Sequence, residues 1–412
     1  MSEVSETLGE ATISGYCKPE FEDVAYEFMN NFTDRGEVGA SVCIRIGDEK
    51  VVDLWGGVTN TRTQALWDAD SLCVVFSCTK AATAMCAHLL IDRGLLDLKA
   101  PVSKYWPEFA QGGKEGITVE MMLNHSAGLP AFKEPIKANG FNDWDYMVKR
   151  LENETPFWPP GTRNGYHMIS YGWTVGELVR RVSGKSLGQF FQDELATPLK
   201  MDFWIGLPEE QESRVAHMMM GEPNMKPPFS DYAMAVMGDR QSASHLALMN
   251  NGGHAANSSE AHAAQIGGAG GISHARSLSR MFMPLANKGW AKGNRYFSEE
   301  AVATMGEESV ATQQDAVLLM PTRFSLGFMK SMDNRNNKPG NTESFIIGDR
   351  AFGHVGAGGS TGFADPDCNM AFGYAMNKMG NGILLNERGQ ALVDGAYKSL
   401  GYKNNDSGVW VK

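Results

Sequence analysis

Apolar residues recur at helical spacing at Phe21, Val24, Ala25, Phe28 and Phe32, which predicts an amphipathic helix near the start of the chain. Two short apolar runs follow, Ser41–Ile46 and Val51–Trp55. Gly47-Asp48-Glu49-Lys50 lies between them, so they predict a β-hairpin with those four residues as its turn. Gly56-Gly57-Val58 would carry the second strand on through a bend. The run Ala81, Ala82, Ala84, Met85, Ala87, Leu89, Leu90, Ile91 reads as a buried helix. It stops at Arg93-Gly94, where glycine supplies the left-handed cap. Further helices are expected from Val119 to Asn124 and around Val175, Leu178, Val179 and Val182, the latter ended by Gly184. Ser186 with Gln189 resembles a capping box opening a helix through Phe190 and Phe191. Strands are expected again at Arg323–Phe328, Ala351–His354 and Met370–Met376, before a last helix from about Leu385 to Leu400.

Strands near both ends with helices between them predict an α+β fold, in which one antiparallel sheet built from both termini is flanked by helices and carries a mostly helical insertion. On this reading residues 1–75 and 290–412 form the sheet region and residues 76–289 the helical region, with an active site between them. Residues 205–265 are the least regular part. They hold Met218-Met219-Met220, Pro227-Pro228 and a stretch from Asn250 to Ala264 rich in small and polar residues. Two readings stand: a wall of the substrate site or a surface insertion without a role.

The 412 residues, 42% hydrophobic and 21% charged, suit a soluble globular protein with a substantial core. A net charge of −11 argues against nucleic acid or an anionic membrane as a partner. No apolar run reaches the roughly 18 residues of a membrane span. The start, Met1-Ser2-Glu3-Val4-Ser5-Glu6, is polar and acidic, unlike a secretory signal. Six scattered cysteines without a CxxC pair read as reduced, buried thiols, so a cytoplasmic setting is expected. No His-Glu-x-x-His, P-loop or GxGxxG element occurs, and neither a metal nor a cofactor is expected.

Chemistry enters at Ser77-Cys78-Thr79-Lys80, at the head of the apolar helix. Positions i and i+3 share a helix face, so hydroxyl and amine can meet. An amine held in apolar surroundings loses proton affinity and can accept the serine proton. Cys78 lies about 100° around the helix from Ser77 and reads as a packing residue. Alone this four-residue pattern is weak, because chance matches are common.

Two further elements follow in order: Tyr166 within Pro160-Gly161-Thr162-Arg163-Asn164-Gly165-Tyr166-His167, and His354-Val355-Gly356-Ala357-Gly358-Gly359. With Ser77-x-x-Lys80 they resemble the serine β-lactamase and penicillin-binding-protein superfamily, and within it the class C β-lactamases and β-lactamase-like carboxylesterases of family VIII. The resemblance runs from about residue 25 to about 395. Gly94-Leu95-Leu96-Asp97-Leu98, Leu123–Leu129 and Gly270-Gly271-Ile272-Ser273 add to it. It implies a serine hydrolase of small acyl esters with Ser77 as the acylated nucleophile, Lys80 as its activating partner and Tyr166 as the proton shuttle. It also implies an oxyanion hole made of the backbone N–H groups of Ser77 and Ala357. A helix start with its unpaired N–H groups suits that task.

Two departures bear on the substrate. Where the β-lactamases carry Tyr-x-Asn, this chain has Tyr166-His167-Met168; where they carry Lys-Thr-Gly, it has His354-Val355-Gly356. The missing asparagine would hold a substrate amide and the missing lysine a β-lactam carboxylate. One charge-assisted hydrogen bond is worth roughly 1.5–3 kcal/mol, so neutral esters are favoured over antibiotics. His354, Val355, Gly356, Met168 and Gly358 are the expected pocket residues. An acyltransferase, a D-amino-acid peptidase, a weak β-lactamase and an inactive binding protein are the alternatives.

Gly358-Gly359-Ser360-Thr361-Gly362 matches the GxSxG pattern of another hydrolase fold, but no histidine follows it and it leads into a strand-like run. His125 reads as a structural hydrogen-bonding residue and Tyr171 as a weaker competitor for the role of Tyr166. His354 could tune Tyr166, polarise the substrate or only line the pocket.

Overall fold

The two ends of the chain meet side by side in one antiparallel sheet. A computed structural model describes residues 2–8, 11–221 and 227–412. The sheet runs in the order Ser2–Leu8, Ala11–Cys17, Glu49–Asn60, Gly39–Ile46, Met370–Met376, Thr361–Asp365, Phe352–Val355. The closing pair aligns Ile46 with Met370 and Ala40 with Met376. Alternation along these strands sends side chains to two faces. On one face Phe363 stacks on Phe372 and on Tyr397 of the last helix, Glu387–Ser399, which packs against the first helix, Glu22–Thr33. On the other, Cys43 and Gly373 receive the helix Ala275–Ala286. A methyl group on Gly373 would stand 2.4 Å from the Ala275 carbonyl oxygen, so the bare backbone lets this helix lie close. This helix falls within the span read from sequence as the helical region, yet it packs on the sheet.

The helix Cys78–Asp92 runs through the interior, buried on nearly every side, against Tyr171–Ser183 and beside the edge strand Phe352–Val355. It is entered from Cys73–Phe76, the end strand of a small sheet with Gly271–Ser273 and Trp204–Ile205.

Several local expectations change. The hairpin turn is two residues, Gly47 and Asp48, rather than four, because the strands are longer: Gly39–Ile46 and Glu49–Asn60. The strand expected over Arg323–Phe328 ends at Phe324; Ser325 N bonds Phe328 O at 2.9 Å across a turn with Gly327 at φ 98°. The N-terminal hairpin, Ser2–Leu8 with Ala11–Cys17, has no counterpart in the sequence reading. Its outer strand has little to bury, so it carries no apolar pattern. The irregular excursion 205–265 holds short helices at Asp231–Gly238, Ala243–Met249 and Ser259–Ala263. All six cysteines are free thiols. Among the described residues no helix is long and apolar enough to cross a membrane.

Candidate active site

Phe76 takes a left-handed φ of 42° just before Ser77, a strained conformation for a bulky residue. This bend turns the strand Cys73–Phe76 directly into the helix, whose N-cap is Ser77. Thr79 fixes the junction: its hydroxyl donates to Phe76 O and accepts from Gly271 N at 2.8 Å. Ser77 is 8% exposed at this helix start.

Lys80 is completely buried, and Nζ lies 2.9 Å from Ser77 Oγ, 2.6 Å from Met168 O and 2.7 Å from Gly268 O. Burial, with no carboxylate to offset it, holds its ammonium well below the usual lysine range. A neutral amine has two N–H donors and one lone pair. The two carbonyls can only accept, so they take both donors. The lone pair is left for the Ser77 hydroxyl.

The Tyr166 hydroxyl lies beside Ser77, and its ring lies 4.8 Å from Lys80 Nζ. Burial raises the phenol above its ordinary range, so it stays protonated. The ring is packed between Phe324, stacked at 5.9 Å, and His125 at 5.1 Å. Its backbone is held by Asp315, a fully buried carboxylate that accepts from Tyr166 N at 3.0 Å, Val317 N at 2.8 Å and Leu318 N at 2.9 Å. No motif marks Asp315 in the sequence. It acts as a positioning residue, and Asp315→Asn should lower kcat about tenfold with KM little changed, alongside a stability loss of about 1–3 kcal/mol. Steady-state kinetics on an ester beside urea melts would check this; equal losses in kcat and KM would leave it a purely structural group.

The second strand edge arrives through Gly356. A Cβ there would stand 2.3 Å from Val75 O and 3.5 Å from Cys78 Sγ, so only glycine lets the end of Phe352–Val355 close on the Ser77 junction. Gly356 N donates to Ser360 O at 2.7 Å and Gly359 N to Gly356 O at 3.0 Å. The Ala357 amide takes part in neither bond. Cys78 is buried with Sγ 3.5 Å from His354 O and 3.4 Å from Ser360 O, and burial pushes its thiol up to about 12. It packs helix against strand. Ser360 is fully buried, with Oγ 3.4 Å from Met376 N, at the entry to the strand Thr361–Asp365.

His354 faces Tyr166 at 6.1 Å between rings. Its Nδ1 lies 2.8 Å from Val355 O, which makes Nδ1 the protonated nitrogen; Nε2 is buried without a partner among the described residues. Burial lowers His354 to about 3. It is therefore neutral and cannot replace the charge of a lysine. Val355 is buried in the core, and Gly358 is pressed against Met379. Met168 is half-buried with Sδ 3.9 Å from the Tyr232 hydroxyl. Tyr232, from the excursion 205–265, was not foreseen from sequence. His125 accepts through Nδ1 from His167 N at 3.1 Å, while the Tyr171 hydroxyl sits beside Ala84 and Gly327 rather than at Ser77.

The family model Beta-lactamase matches residues 22–394, nearly the whole chain. The chain belongs to that family. Within it, Esterase/beta-lactamase LipL of Mycobacterium tuberculosis is 33% identical over 379 residues, covering 91% of this chain and 85% of LipL. The crystal structure of a family VIII carboxylesterase is 37% identical, with a TM-score of 0.82, over 94% of this chain and 99% of that one. A penicillin-binding-protein homologue from Caulobacter crescentus is 34% identical, with a TM-score of 0.83, over 94% and 99%.

Proposed function

We propose that the protein is a serine carboxylesterase that cleaves small, uncharged acyl esters through an acyl-enzyme on Ser77. The observation that carries this is the setting of Lys80, an amine whose two N–H groups are taken by Met168 O and Gly268 O while Ser77 Oγ lies 2.9 Å away. Lys80 takes the Ser77 proton as Oγ bonds to the ester carbonyl carbon. The carbonyl oxygen gains the negative charge and is held by the N–H groups of Ser77 and Ala357. Collapse breaks the bond to the alkoxide, which leaves as the alcohol with the Tyr166 proton; the Lys80 ammonium restores that proton to Tyr166. Water then attacks the acyl carbon and gives up its proton along the same path, releasing the acid and Ser77.

The esterase-named relatives support this reading, and so does the absence of a charged clamp. Met168 places a thioether where an amide would hold a peptide-like substrate, and the neutral His354 stands where a cation would hold a carboxylate. Expected rates follow: p-nitrophenyl acetate and butyrate are turned over, a chromogenic cephalosporin about ten- to a hundredfold less efficiently, and Ser77→Ala does neither. Cephalosporin cleavage rivalling ester cleavage would refute the specificity argument. Ester cleavage surviving in Ser77→Ala would refute the nucleophile.

A further inference from the structure

The excursion 205–265 sends one side chain back to the catalytic centre. Tyr232 lies in the first turn of the helix Asp231–Gly238 and is buried, while Met234 and Met237 of the same helix are exposed. The start of this helix is pinned. Ser230 caps it by accepting from Ala233 N at 3.0 Å. Asp231 N donates to Asn341 Oδ1 at 2.9 Å, and Asn341 Nδ2 donates back to Asp231 Oδ2 at 3.0 Å. On the inner side the Tyr232 hydroxyl reaches Met168 Sδ at 3.9 Å, its sole partner among the described residues. Met168 belongs to the centre itself, since its carbonyl oxygen takes one of the Lys80 N–H groups. A thioether sulfur is a weak acceptor. Burial, with the Glu343 carboxylate adding to it, raises the Tyr232 phenol, so the hydroxyl keeps its proton. A buried O–H resting on sulfur gives up little when an oxygen arrives in its place.

We propose that Tyr232 is a specificity-determining residue whose hydroxyl donates to an ether or carbonyl oxygen carried by the acyl group next to the scissile ester. This rests on the esterase reading above and narrows its substrate class to oxygen-bearing acyl esters. Met168 offers no N–H group where an asparagine amide would hold a substrate, and the phenol beside its sulfur supplies a donor from another element. Tyr166 protonates the leaving alcohol, so the alcohol half of the ester lies on its side. Tyr232 meets the site at Met168, where the acyl half is left to it. On this assignment the excursion 205–265 is a wall of the substrate site.

The test compares p-nitrophenyl methoxyacetate with p-nitrophenyl butyrate, acyl groups of nearly equal size in which an ether oxygen replaces one methylene. Each kcat/KM is divided by the rate constant for hydroxide hydrolysis of the same ester, which removes the intrinsic activation by the ether. The wild type should favour methoxyacetate, and Tyr232→Phe should lower that preference about three- to tenfold, the effect of one neutral hydrogen bond. A ratio of two esters does not depend on the fraction of folded enzyme. Met168→Leu removes the sulfur and keeps the hydroxyl, so there the preference holds at the wild-type value or rises. Equal losses on both esters in Tyr232→Phe would overturn the proposal and leave a purely structural side chain. A preference that falls as far in Met168→Leu as in Tyr232→Phe would also overturn it, giving the contact to the sulfur. Failure of the esterase reading looks different: the wild type turns over neither ester in a Ser77-dependent way, and the inference falls with it.

Discussion

Lys80→Met turns over esters about 10²–10⁴-fold more slowly than the wild type, and it melts at a higher temperature. The two effects share one cause. Lys80 is sealed in the interior with no carboxylate, so the folded state holds its proton weakly while the unfolded chain binds it as an ordinary lysine. Between the lowered folded value and the usual lysine value the unfolded state carries more protons. Stability therefore rises with pH through that window, and at neutral pH the wild type bears the cost of deprotonating the amine on folding. Methionine fills similar volume, has no charge to desolvate and leaves that pH dependence out. The same titration governs catalysis. Wild-type kcat/KM should climb with pH on its acid side until Lys80 is neutral, with no alkaline loss from Tyr166 in the ordinary tyrosine range, because burial raises that phenol. Differential scanning calorimetry from acid to mildly alkaline pH, paired with a pH–rate profile, checks both. A variant that is slow yet no more stable would mean that Lys80 is charged in the folded protein and serves as an electrostatic partner rather than as the base.

Gly356→Ala should lower kcat about 10²–10³-fold, the effect of losing one oxyanion donor, or about 2.7–4 kcal/mol of barrier lowering. The added methyl group would stand 2.3 Å from Val75 O, a backbone atom of the strand that delivers Ser77. Neither side can yield by rotating a side chain, so the strand end must move off the junction and carry the Ala357 N–H away. Lys80, Ser77 and Tyr166 sit on other elements and keep their geometry. An uncharged fluorophosphonate probe measures this separately from ester turnover. Slow labelling together with slow turnover is the expected pair. Wild-type turnover in Gly356→Ala would remove Ala357 from the oxyanion hole.

Legibility in the sequence tracked the separation of the partners. Ser77 and Lys80 are three positions apart, so the helix alone brings them together. The partners that leave the lysine lone pair on Ser77 are backbone carbonyls 88 and 188 positions away, and backbone oxygens carry no sequence signal. Tyr166 was reached through a family resemblance. Asp315, which holds it from 149 positions away, lies in no motif and could be any loop aspartate. Tyr232 belongs to a stretch without periodicity, where pattern reading has nothing to work on. The N-terminal hairpin escaped notice because its outer edge strand needs no apolar face.

The sequence by itself determined what short-range physics controls: the buried Ser77 helix with its glycine stop, one hairpin near the start and strands near the end, the α+β class, and the two departures at Met168 and His354 from an amide and a charged clamp. Tertiary structure alone decided the rest. The protonation of Lys80 depends on desolvation by the packed core, and the close approach at Gly356 depends on how two distant strands meet. Charge and dielectric are properties of neighbours in space, and the chain order does not list those neighbours.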